Sequence, residues 1–197
     1  DAVRATETDK TSLYGVANHA SSSGETTAER VRLGGRHDHN LGARHFAFGG
    51  LDLEQNRFTN LKFRGQLSAG LGWHVIKAPT TTFDVFGGVG YTADRYFDAM
   101  LIDGEVRSSY DFANLVLGEE STHRLTDSTV AKQRLTVTPN VSQWGEYRAN
   151  WDASLAVAIN ETMNLTVGLS ATYNSEPGPG LETTDTLLTT GISVKFE

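Results

Sequence analysis

Three groups of residues in this sequence carry chemistry by type and spacing. The first is His37-Asp38-His39, with His45 close behind. On an extended strand, side chains two apart share a face, so His37 and His39 present two imidazoles together, and a turn can bring a third ligand to a tetrahedral ion. No carboxylate-rich cluster accompanies them, and a polar turn explains the same residues, so a metal ranks low and no cofactor is expected. The second is His19 with Asp94, Asp98 and Asp103, on stretches that read as a rim of loops. General acid–base work needs partners within hydrogen-bond reach, and loop aspartates are more often solvated surface, so the chain is not expected to be an enzyme. The third and largest is a set of opposite charges on alternating stretches: Arg30, Arg32, Lys62, Arg64, Lys132, Arg134 and Arg148 against Asp84, Asp152 and Asp185.

The elements that position these charges are strands. From Leu61 to Val75 every odd position is apolar or glycine, and from Asn60 to His74 every even position is polar or glycine. A period of two held that long has almost no helical competitor, and it exceeds the length of an ordinary strand. A tilted barrel strand crosses a bilayer in about 9–11 residues. Similar alternation marks 11–20, 27–37, 44–55, 82–93, 108–122, 128–138, 147–159, 163–173 and a closing strand that ends at Phe196. Residues 1–10 read as a flexible lead-in and 11–197 as one domain, an all-β, ten-stranded, antiparallel, up-and-down transmembrane β-barrel. Connections after the second, third, fourth, sixth and eighth strands read short. Those after the first, fifth (94–107), seventh and ninth read longer, which is the outer-membrane pattern of turns on one side and loops on the other.

Composition agrees. The chain has 197 residues, no cysteine and a net charge of -7. That excludes a disulfide framework, a thiolate metal site and the basic footprint of a nucleic-acid binder. No run of 18 apolar residues is present, and a mean hydropathy of -0.34 suits a barrel whose strands are half polar. Alternation alone does not distinguish a lipid-facing barrel from a soluble ligand-binding one, which keeps its apolar face inside. Aromatic placement favours lipid outside. Phe63, Tyr91, Tyr147 and Tyr173 lie towards the long-loop ends, and Trp73, Phe83 and Phe196 towards the short-turn ends, as two membrane interfaces select.

The stretches R-F-T-N-L-K-F-R-G-Q-L-S-A-G-L-G-W-H (57–74), F-G-G-V-G-Y (86–91) and Y-N-S-E-P-G-P-G-L-E-T-T-D-T-L-L-T-T-G-I-S-V-K-F (173–196) resemble the salt-induced outer-membrane protein family of Gram-negative bacteria. That family is largely of unknown function. The resemblance implies an outer-membrane barrel, a last strand read by the barrel-assembly machinery, and no catalytic residues to carry over.

These readings set the functional expectation. The chain is a bacterial outer-membrane barrel, exported with a signal peptide absent from this sequence. Its lumen is filled by the paired charges, and its loops meet lipopolysaccharide or protein partners in a structural or envelope-stress role. The alternative is a narrow pore for ions or small solutes. A narrow barrel is packed by its inward side chains, which favours the filled lumen.

Overall fold

The computed structural model describes residues 2–22, 25–102, 104–177 and 180–194. They form β1 (Ala2–Ala5), β2 (Asp9–Ser22), β3 (Glu25–Asn40), β4 (His45–Asn56), β5 (Leu61–Lys77), β6 (Thr81–Ile102), β7 (Glu105–Arg124), β8 (Thr129–Pro139), β9 (Tyr147–Ala158), β10 (Met163–Asn174) and β11 (Thr184–Val194). Each strand pairs antiparallel with the next in a single sheet ordered β1 to β11. The sheet curls like a half-barrel. Lys10 on β2 reaches Glu120 on β7, and Arg148 on β9 reaches Asp94 on β6.

The strand count is therefore eleven, not ten. The extra strand is β1, inside the stretch read as a lead-in. It pairs Ala2 with Leu13 and Ala5 with Lys10. Four residues with polar neighbours carry too little alternation to register as a strand, and only the backbone partner makes them one.

The second correction concerns 94–107. This stretch is not a loop: β6 and β7 continue through it as one long hairpin that turns at Gly104, whose φ of +77° suits a residue without Cβ. Alternation fails there because the register slips between Arg95 and Met100 and the bulge breaks the period. Asn60, at φ 59°, secures the bulge: its side chain accepts from Asp98 N at 2.9 Å and donates to Asp98 O at 2.8 Å. A second irregularity between Leu61 and Phe63 turns Leu61 inward, where it is buried, and leaves Lys62 exposed.

The two faces of the sheet have opposite polarity. Leu33, Leu51, Leu67, Leu71, Val89 and Ile192 all stand 45–63% exposed. The buried apolar residues lie on the concave side, with Phe46, Phe48, Phe86 and Val116 as one cluster. Phe48 and Phe86 meet edge to face at 5.4 Å. These rings find room because the neighbouring strands carry glycine: Phe46 lies over Gly72, Phe48 over Gly70 and Phe86 over Gly118.

Candidate functional site in the lumen

The concave face holds charges in layers. In the upper layer Asp94 is fully buried. It accepts from Arg64 Nε at 2.7 Å and Nη2 at 2.8 Å, from Arg148 Nη2 at 3.1 Å and from the Tyr96 hydroxyl at 3.3 Å. Glu54 continues the chain, with Arg30 Nε at 2.8 Å and Arg64 Nη1 at 3.8 Å. Arg30, Glu54, Arg64 and Asp94 stand on successive strands, whereas Arg148 arrives from β9, across the lumen. A fork-shaped guanidinium suits this arrangement because it engages a carboxylate with two parallel N–H bonds. Above the layer lies a cavity of ≈ 100 Å³ lined by Arg30, Arg64, Arg148, Tyr96 and Asp185 among others.

In the middle layer the Tyr14 hydroxyl donates to Asp52, which also accepts from Arg32 Nε at 2.8 Å. In the lower layer the Arg36 guanidinium lies between the Phe48 and Phe86 rings, 4.2 and 4.1 Å from their centroids, and donates from Nε to Asp38 at 2.6 Å. Arg134 approaches Phe86 from β8 at 5.2 Å and pairs with Glu120 at 3.6 Å. Arginine between aromatic faces gains cation–π attraction while it fills space. At the short-turn end His74 meets Asp84 at 2.7 Å and Asn40 at 3.0 Å.

Of the charges singled out in the sequence, Arg30, Arg32, Arg64, Arg134, Arg148 and Asp84 are brought into these layers. Lys62, Lys132 and Asp185 are exposed and have no ion pair among the described residues. Asp152 is exposed and accepts from the Ser170 hydroxyl at 2.6 Å. Five members escaped the sequence reading of the lumen: Lys10, Arg36, Asp52, Glu54 and Glu120. Arg36 shares the polar phase of Arg30 and Arg32 on its strand; for Asp52, Glu54 and Glu120 alternation left the inward face of their strands open, and Lys10 fell in the stretch read as a lead-in.

The rim constellation does not assemble. Asp94 is inside the lumen, His19 and Asp98 are exposed, and Asp103 lies outside the described residues. His37 and His39 share a face, as their spacing requires, and that face is the convex one. Asp9 sits between them, 2.8 Å from His39 Nδ1 and 3.4 Å from His37 Nε2. They lie on β3 itself, since that strand runs on to Asn40, beyond the end read at 37. His45 stacks on Trp73 on the same surface. The Asp9–His39 pair is more than a third exposed on both sides, so His39→Ala is expected to leave the denaturant midpoint unchanged. A clear drop would give the pair a structural role.

Among the aromatics expected at the interfaces, Phe63, Trp73, Tyr91 and Tyr147 are exposed on the convex face, and Phe83 and Tyr173 are half-buried. Tyr147 and Tyr173 stack at 5.3 Å. Phe196 lies outside the described residues.

Comparison with known proteins agrees with this architecture. A solved structure of the NanC porin superposes with a TM-score of 0.57 over 98% of this chain and 96% of that one, at 10% sequence identity; that likeness concerns the fold alone. The uncharacterized protein YdiY of Escherichia coli (strain K12) is 30% identical over 168 residues. The match takes in 84% of this chain and 61% of YdiY, so the chain spans less than two thirds of that relative's length. The family described as "Protein of unknown function, DUF481" matches residues 1–196, and the chain belongs to it.

Proposed function

We propose that this chain forms the wall of a bacterial outer-membrane barrel whose lumen is closed by its own side chains. The observation that carries the reading is the inverted polarity of the sheet. Leucine, valine and isoleucine cover the convex face from β2 to β11, while carboxylates and guanidiniums pair on the concave one. Monomeric soluble proteins rarely expose so continuous an apolar surface, and lipid is the solvent that suits it. The likeness to a porin fold supports the same placement.

The role that follows is structural rather than catalytic. Among the described residues, the Arg148–Asp94 and Lys10–Glu120 pairs cross the lumen and tie its charged groups to one another. Contacts with the outside then fall to the convex face and to the long-loop end, where 140–146 and the stretch after β10 carry Trp144, Glu176 and Glu182. Lipopolysaccharide or envelope proteins are the partners of that end, and the barrel-assembly machinery is the partner during insertion. A role in the envelope under salt stress agrees with the resemblance in sequence. The second reading is a narrow pore, which the cavity above Asp94 favours because it opens the lumen part of the way.

Single-channel recording on the refolded protein in a planar bilayer separates the two. A silent bilayer with inserted protein is expected, and steady openings would place the pore first. The membrane assignment has its own test. Leu67 is 61% exposed between Phe63 and Trp73 on the outer face of β5. Leu67→Arg is expected to cost about 2–4 kcal/mol of stability in lipid vesicles, measured by denaturant unfolding. A cost near zero would mean that this face meets water.

A further inference from the structure

The cavity above Asp94 carries its charges in two tiers. Its floor is the upper layer, where Arg30, Arg64 and Arg148 share two carboxylates, Glu54 and Asp94. Three guanidiniums against two carboxylates leave one positive charge over. Among the described residues Arg148 donates from one nitrogen only, Nη2 to Asp94 at 3.1 Å, so its fork has donors to spare. Glu146, two residues before it, accepts instead from the Tyr110 hydroxyl and from Asn140 Nδ2. The rim has the opposite sign. Glu176 and Glu182, from the stretch after β10, and Asp185 on β11 line the same cavity. All three are exposed and make no ion pair among the described residues.

We propose that this cavity binds a small zwitterion of the α-amino acid class, with its carboxylate down on Arg64 and Arg148 and its ammonium up against Glu182 and Asp185. A simple anion would find guanidinium donors below but three carboxylates above. A simple cation would meet the reverse. A solute with both signs satisfies both tiers, and a carboxylate is the anion that a guanidinium fork fits best. Size narrows the class further. The cavity of ≈ 100 Å³ has room for a few waters at about 30 Å³ each or for one compact solute, and it lies well below the ~300–1,000 Å³ of pockets for larger ligands. Because groups of both tiers line one cavity this small, a single amino acid spans them. The inference deepens the closed-lumen reading and rests on it: the Asp94 layer is a floor, so the solute enters and leaves by the long-loop end and is held rather than passed.

The test is a titration of the ¹⁵N-labelled chain in detergent micelles, at neutral pH and fixed ionic strength, with L-alanine, acetate or ethylammonium. Binding is followed by the backbone amide shifts of Thr172, Asn174 and Thr183, which line the cavity. L-alanine is expected to move them saturably. Acetate and ethylammonium are expected to bind on the order of tenfold more weakly, since each leaves one tier without its charged partner. Exchanging Glu182→Gln together with Asp185→Asn touches only exposed, unpaired side chains. That double variant is expected to weaken L-alanine by about tenfold and to strengthen acetate, a change of preference that a merely structural role would not produce. No saturable shift with L-alanine would overturn the proposal. Acetate binding as tightly as L-alanine would make this a plain anion site, and ethylammonium doing so a cation site; either result overturns it, as does an unchanged preference in the double variant. Conductance of the same protein is read separately. Steady openings sink the closed lumen while the titration still judges the cavity, whereas a silent bilayer without amide shifts sinks the zwitterion site alone.

Discussion

Asp94→Asn destabilises this protein by about 3–5 kcal/mol, the expected cost of breaking a buried ion pair from one side. Among the described residues the carboxylate is the only acid bonded to both Arg64 and Arg148, and none of its surface is exposed. Asparagine keeps the shape and one acceptor oxygen but leaves two guanidiniums facing each other in a narrow lumen. Glu54 is the nearest other acid, at 3.8 Å from Arg64, and it is already engaged by Arg30. Adding Arg148→Met is expected to recover part of the loss, since it removes one of the stranded charges. The measurement is denaturant unfolding in lipid vesicles for the single and double variants. A loss below about 1 kcal/mol would mean that water in the lumen screens these groups as it screens surface pairs. The same variant bears on the lumen itself. Asp94 ties β6 to β9 across the opening, so its loss is expected to turn a silent bilayer into one with measurable conductance.

Gly88→Ala is expected to prevent the native pairing of β5 and β6. Gly88 lies opposite Gly70, and a Cβ built on it stands 2.7 Å from Gly70 Cα and collides with the Ala69 carbonyl oxygen. These are backbone atoms, so no side chain can rotate away. On the other side, a Cβ on Gly70 meets Phe48 Cε1 at 2.7 Å, and Phe48 is one wall of the Arg36 sandwich. Overpacking a core costs about 1–3 kcal/mol where neighbours can shift, and more is expected here, where the strands themselves must part. Gly49→Ala is the control, since nothing lies within 4 Å of a Cβ there. Folding yield into detergent, read by β-sheet circular dichroism, is expected to fall for Gly88→Ala alone. Equal yields would mean that β5 and β6 separate at little cost.

Much of this molecule is local in origin, and that part was legible in the sequence. A period of two is a property of one strand, so the faces of β5, β9 and β10 follow from their own residues. On those faces Arg64 and Arg148 stand on the concave side and Leu67, Trp73 and Val157 on the convex one. The separation of His37 and His39 onto one face is local in the same way. What composition excluded also needed no partner: without cysteine there is no thiolate or disulfide to place.

Only the tertiary structure decided the rest, because it depends on which strands meet. Ala2–Ala5 is a strand only because β2 offers it a ladder. The stretch after Asp94 is a hairpin only because β7 pairs with it beyond a bulge, and one slipped residue reverses every later side chain. Asp94 itself stands before that slip, in the inward phase of Thr92, and it becomes the centre of the lumen because β6 runs on past it as strand. Phe46, Phe48 and Phe86 stand in the polar phase of their strands, and glycines on neighbouring strands make room for them. Sequence separation hides such pairs: Phe48 and Gly70 touch through strand register, and Asp94 and Arg148 through the curl of the sheet. Alternation within a strand decides which way a side chain points, and curvature between strands decides what it finds there.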